Sequence, residues 1–184
     1  ALTRLIEDEW SWRLKESPLF ATAVGDHSAD DRLPSVSVAD YERREKDARA
    51  FLERWKSIDG AKLDGADRVN YEFFGRVLRD RIGESEFKTY LMPITNREGF
   101  HTDYPQLPDN LTFNNVRDYE NYCARLEATR TYFGQQIELM RAGLKADWLP
   151  ALGGRVLRAA DLWVRLHEDM LRPLVKDGSH VYGE

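Results

Sequence analysis

Apolar residues recur at three- and four-residue intervals along most of this chain, the period of an amphipathic helix rather than a strand. Leu2, Leu5, Ile6, Trp10, Arg13 and Leu14 share one side of the opening segment, while Glu7, Asp8 and Glu9 fall elsewhere, so the spacing predicts a first helix. Ser17-Pro18 reads as an N-cap followed by proline at the first helical position, and predicts a short second helix over Leu19 to Val24 closed by Gly25. The text from Asp26 to Pro34 is polar. Ser37 and Asp40 then have capping-box spacing, and the stripe Val38, Tyr41, Ala48, Phe51, Leu52, Trp55 and Ile58 predicts a long helix ending near Gly60. Asp64 can cap the next one, with Val69, Phe73, Phe74, Val77, Leu78 and Ile82 as its buried face and Gly83 as its break. Two long helices joined by a short turn should form an antiparallel hairpin.

Glu84 to Asn114 holds Pro93, Pro105 and Pro108 among scattered aromatics without a sustained period. It is expected to be a long ordered loop, with at most a short strand or helix near Phe87 to Met92. Loops of such length inside compact domains are functional or anchored by their own side chains. A second hairpin is expected over residues 116 to 143. Asn114 or Asn115 would cap it, Val116, Tyr119, Tyr122, Cys123 and Leu126 would form its first apolar face, and Thr129 to Thr131 would be a weak spot before Tyr132, Ile137, Leu139 and Met140. A last helix is predicted from about Arg155 to Leu171, stopped by Pro173. The expected fold class is therefore all-α: antiparallel helical hairpins forming one helical domain over 1–184 with a long ordered loop, packed around Trp55, Phe73, Phe74, Tyr119 and Leu126.

A chain of 184 residues fits one domain able to bury roughly 70% of its unfolded surface. Charged residues make up 32% of it and the formal net charge is −5, which predicts a soluble chain that repels polyanions and does not bind nucleic acid. No run approaches the ~18 consecutive apolar residues of a membrane span. The start at Ala1 rather than Met predicts that an initiating segment has been removed, and both a cytoplasmic and an exported, periplasmic location remain open. The single Cys123 is expected to be a small packing residue. Trp10, Trp55 and Trp163 fall on apolar stripes and are expected in the core, whereas Trp12 lies off the stripe, where it would meet a partner or the rest of a larger protein.

Two strings carry metal-site chemistry in outline. His167-Glu168-Asp169-Met170-Leu171 has the first half of the HExxH zinc motif, but Leu171 stands where the second imidazole must lie one helical turn away. Asp26, His27, Asp30 and Asp31 could gather around a divalent ion, yet the spacing fits no calcium loop, and turn and helix capping explain the aspartates equally well. No metal site and no catalytic residue is assigned.

Several strings taken together resemble the N-terminal part of the bacterial domain of unknown function 885 family. They are Glu9-Trp10-Ser11-Trp12-Arg13, Ser17-Pro18-Leu19-Phe20-Ala21-Thr22, Gly25-Asp26-His27, Asp30-Asp31-Arg32-Leu33-Pro34, Asp67-Arg68-Val69-Asn70-Tyr71 and Tyr90-Leu91-Met92-Pro93. Phe100-His101-Thr102-Asp103, Gln106-Leu107-Pro108, Asp118-Tyr119-Glu120-Asn121-Tyr122 and Met140-Arg141-Ala142-Gly143 continue the series, in matching order and spacing over about residues 5 to 147. Residues 148 to 184 diverge from the family's continuation. The family's members resemble gluzincin-type zinc metallopeptidases, and the zinc motif of the full-length proteins lies beyond the region matched here.

The resemblance implies zinc for the full-length family and no cofactor for this chain, which is expected to be inactive alone. It also implies that Tyr90, His101, Asp103 and Tyr104, in the long loop, border a substrate cleft. The leading reading is a non-catalytic N-terminal helical domain or fragment of a zinc metallopeptidase-like protein, helping to shape that cleft. Its partner would be the remainder of the larger chain, or a second copy by self-association, and its ligand a peptide. The rival is a stand-alone helical binding or oligomerisation module that has lost the catalytic half, and a third reading is an enzyme with an unrecognised site in the Tyr90 to Pro108 loop.

Overall fold

The computed structural model describes residues 1–95 and 97–146. Six α-helices run through them: α1 (Leu2–Glu16), α2 (Pro18–Ala23), α3 (Val38–Lys56), α4 (Gly65–Glu86), α5 (Phe100–Asp103) and α6 (Val116–Lys145). Four 3₁₀ turns lie between them, and the one β-type pairing among the described residues is an isolated bridge between Ile94 and Gly99. The fold class is all-α. The chain divides into two compact units, Ala1–Leu139 and Met140–Glu184, and the architecture and recesses described here belong to the first. The expected last helix, Trp148, Trp163 and the His167 string lie outside the described residues.

Local chemistry sets the helix starts. Pro18 occupies the first turn of α2, where its missing N–H costs nothing, and Gly25 just beyond the helix takes φ +88°, a left-handed conformation that a side chain would strain. Ser37 and Asp40 form the capping box of α3 in both directions. Asn115 Oδ1 accepts from the Asp118 N–H at 3.2 Å, and Asp118 Oδ2 accepts from the N–H groups of Asn114 and Asn115, so α6 is capped the same way. Asp64 stands at the N-cap of α4 without a side-chain cap bond.

α3 and α4 make the expected antiparallel hairpin. Ser85 near the end of α4 donates to Glu45 early in α3 at 2.9 Å, whereas Trp55 late in α3 lies against Tyr71 in the first half of α4 and Gly75 at its middle. α1 closes this pair into a three-helix core of Leu5, Phe51, Phe74 and Leu78, with Ile6, Trp12, Leu52, Trp55 and Ile58 packed around it. Burying side chains of this kind contributes roughly 1.5–3 kcal/mol each. Glu9, 2% exposed, locks α1 to α4: its Oε1 accepts from Arg81 at 2.6 Å and both its oxygens accept from Arg13 at 2.9–3.0 Å.

Five expectations need correction. Residues 116 to 143 are not a hairpin but part of the unbroken α6, because the Thr129 hydroxyl bonds to the Arg125 carbonyl of its own helix and to Tyr104 instead of diverting the backbone. Gly83 does not end α4, which runs to Glu86. Val69, Phe73, Tyr119 and Leu126 are exposed, and on α4 it is Phe74, not Phe73, that meets α1 and α3. Trp10 is largely exposed, while Trp12 packs edge-on against Phe51 and donates its indole N–H to Asp47 at 3.0 Å. Cys123 is exposed rather than packed.

The long loop is more structured than its prolines suggest. It contains 3₁₀ turns at Thr89–Leu91 and Tyr104–Asn110 as well as α5. Phe100 and Tyr104 anchor it on α6, their rings edge-on to Phe133 at 5.0 and 5.2 Å.

Candidate functional site

The side chain with the strongest claim to function was not singled out by sequence. On α6 the buried positions Arg125, Thr129, Phe133 and Gln136 follow at helical spacing, and Arg125 among them is 0% exposed. The segment after α2 is shaped to receive it. Asp26 caps the 3₁₀ turn His27–Ala29 by accepting from the Ser28 N–H at 2.9 Å, and the carbonyls of Ala29 in that turn and of Arg32 just after it meet the guanidinium. Arg125 Nε donates to Arg32 O at 3.1 Å, and Nη2 donates to Thr22 Oγ1 at 2.7 Å and to Ala29 O at 3.3 Å. Nη1 is buried and has no hydrogen-bond partner among the described residues.

Asp30 is the nearest counter-charge, its Oδ1 lying 3.7 Å from Nη2. Both its oxygens are already engaged, Oδ1 by the Thr22 hydroxyl at 2.5 Å and Oδ2 by His27 Nδ1 at 2.7 Å. Burial pushes the Arg125 pKa below its ordinary value, against the opposing pull of Asp30, then Asp31 and Tyr104. Arginine has so much reserve that the group stays a cation. Arg125 lines a recess of about 280 Å³ between Thr22–Asp30 and the start of α6, just below the ~300–1,000 Å³ typical of ligand pockets. Arg117, Asn121 and Tyr122 also line it. Burial, then the neighbouring Cys123, raises the Tyr122 pKa, so its hydroxyl stays protonated at neutral pH.

The Asp26, His27, Asp30, Asp31 cluster thus resolves into a turn cap, a His27–Asp30 pair beside Arg125, and a surface pair of Asp31 with Arg32 at 3.4 Å. Among the described residues no group of three or more His, Cys, Asp or Glu is placed to hold a metal ion.

These segments also carry the family signal. A family described as a bacterial protein of unknown function (DUF885) matches residues 18–171. The chain belongs to the DUF885 family. No curated protein and no solved structure matches it. The match runs on to residue 171, past the residues 5 to 147 that the shared strings cover, and includes Thr22, the Asp26–Arg32 segment and Arg125.

In this DUF885 protein the four loop residues expected to border a cleft have separate surroundings. Tyr90 stacks on Tyr41 with centroids 4.3 Å apart and lines a second recess, of about 450 Å³, together with Trp12, Phe20 and Arg44. His101 and Asp103 sit on α5. The Asp103 side chain accepts from Thr102 at 3.2 Å and is exposed. Tyr104 is half-buried, its hydroxyl bonded to Thr129 and its ring against Phe133, an anchoring role. None of these three lines either recess. No described helix is long and apolar enough to cross a membrane.

Proposed function

We propose that this chain is a non-catalytic helical module of a larger metallopeptidase-like protein, that the remainder of that protein packs on α6, and that the module helps to shape a peptide-binding cleft. The observation that carries this reading is an uncovered apolar stripe. Val116, Tyr119, Cys123 and Leu126 follow at spacings of three and four on α6, with Val116 74% exposed and Tyr119 52% exposed. Val69 and Phe73, one turn apart on α4, are also exposed. Isolated exposed apolar residues are ordinary, but a stripe in helical register is the pattern of a face that meets another element. Family membership supports the reading through the resemblance of the family's longer members to zinc peptidases. The rival, a stand-alone module that self-associates, uses the same stripe with a second copy as its occupant.

Cys123 lies in the stripe and is the single cysteine of the sequence, so its alkylation rate reports on coverage. The measurement compares this chain, dilute and concentrated, with the product of the full native reading frame, following the Cys123 peptide by mass. Fast labelling of this chain at both concentrations with slow labelling of a longer product supports the proposal. Slow labelling only in the concentrated short chain supports the self-associating module. Equally fast labelling in every sample refutes both occupants.

A further inference from the structure

We infer that the recess lined by Arg125 is a binding site for a single carboxylate group, borne by a small organic acid or by the end or acidic side chain of a peptide. The argument starts from the guanidinium. It makes five N–H groups available in a fixed planar fork. Nε and Nη2 are committed to Arg32, Thr22 and Ala29, which fix the plane, whereas Nη1 is buried without a partner among the described residues although Arg125 lines a cavity of about 280 Å³. Leaving a buried donor unmet is costly, and more so for a charged one. A cation held this rigidly, with one edge unsatisfied beside a cavity, is preorganised for an acceptor that arrives with the ligand.

The charge balance selects the acceptor. Arg125, Arg117, Asp30 and Asp118 all line the recess, and the formal charges of these four groups cancel. Both carboxylates are occupied, Asp30 by Thr22 and His27, and Asp118 by the backbone cap of α6. Without a net positive field, a phosphate dianion would meet Asp30 and Asp118 uncompensated. A single carboxylate adds one charge where phosphate adds two, and it presents acceptor oxygens to the unused edge of Arg125, with Arg117 and Asn121 as further donors lining the recess. The inference is independent of what covers the apolar stripe of α6.

The test is calorimetric titration of this chain with acetate, with N-acetyl-Ala-Ala as the free acid and as the C-terminal amide, and with inorganic phosphate. The free acid should bind at least about tenfold more tightly than its amide and than phosphate, as a charge-assisted hydrogen bond worth ~1.4 kcal/mol or more requires. Acetate binding as tightly as the peptide acid would identify a small organic acid, and a clear preference for the peptide acid would identify a peptide end; both support the carboxylate site. Because Arg125 also joins α6 to the Thr22–Arg32 segment, Arg125→Leu can fail to fold. The surface-lying Arg117→Ala and the half-buried Asn121→Ala, with unchanged circular dichroism, should each weaken the acid by about three- to tenfold and leave the amide unaffected. Equal affinity for acid and amide, tighter binding of phosphate, unaltered binding in both variants, or no heat with any carboxylate would overturn the inference.

Discussion

Gly75→Ala should destabilise this protein although the position is in the middle of a helix. Alanine in a helix interior ordinarily gains about 1 kcal/mol over glycine. Here a β-carbon on Gly75 would lie 2.3 Å from Cζ2 and 2.4 Å from Cε2 of Trp55, against the ~3.5–4.0 Å of a normal carbon contact. The indole must retreat by more than about 1 Å to restore that separation. Its N–H donates to the Tyr71 carbonyl at 2.9 Å, its ring stacks on Tyr71 at 4.5 Å, and the Arg79 guanidinium lies 5.0 Å over it, so any retreat disturbs all three contacts. Overpacking costs about 1–3 kcal/mol and the hydrogen bond ~0.5–1.5, which together exceed the propensity gain, leaving a net loss of about 1–3 kcal/mol. Gly83 in α4 and Gly134 in α6 have open space where the β-carbon would go, so alanine there should stabilise by up to about 1 kcal/mol. Thermal unfolding followed at 222 nm reads the contrast, at roughly 2–4 °C per kcal/mol for a chain of this size. In a Trp55→Leu background the clash is gone and Gly75→Ala should become neutral or favourable. Should Gly75→Ala melt as high as Gly83→Ala in the native background, the close packing of α3 on α4 through Trp55 is wrong.

Glu9→Gln keeps the shape but removes the charge shared by Arg13 and Arg81; urea unfolding should show a loss of about 1–2 kcal/mol, below the range for a fully buried pair because both arginines are partly exposed. Desolvation raises the Asp40 pKa, but hydrogen bonds from Ser35, Ser37 and Arg43 outweigh it and hold the carboxyl at about 2. A depressed carboxylate contributes stability above its unfolded pKa of ~3.9 and loses it as pH falls toward 2, so the gap between the native protein and Asp40→Asn should close over that window; a gap constant from pH 6 to pH 2 would contradict the capping role. Zinc is expected to leave the melting midpoint of this chain unchanged, whereas a native site at one hundred times its dissociation constant would add about 2.7 kcal/mol; a reproducible rise abolished by His27→Ala would reveal a site that these residues do not display.

What the sequence made legible was local. The Ser37–Asp40 box, Pro18 at a helix start and the Asn115 cap are decided by residues within a few positions of one another, and each stands where its spacing put it. Which side of a helix faces inward is decided elsewhere in the chain. Phe73 and Phe74 are identical in hydrophobicity and lie 100° apart on α4, so only the position of α1 and α3 makes one core and the other surface. Trp10 and Trp12 pose the same problem on α1, and there the indole N–H of Trp12 finds Asp47 on α3 only once the two helices are side by side. Arg125 was illegible for a further reason. A charge in a helical pattern reads as the solvent side, and its register with Thr129, Phe133 and Gln136 becomes informative only after that face is known to be buried.

That argues for where function should be sought in this DUF885 protein. Capping and packing agree along α3, with its Ser37–Asp40 box and its buried Phe51, and such agreement specifies structure without leaving groups unmet. At Arg125 they conflict: a fully buried cation is tied to two carbonyls and a hydroxyl of a segment about a hundred residues earlier, and still leaves one nitrogen unmet. A hydrophobic residue there would leave the Ala29 and Arg32 carbonyls without their donor, so Arg125 holds α6 to that segment through Nε and Nη2. That tie does not account for the unmet Nη1, whereas a ligand that completes its hydrogen bonding would.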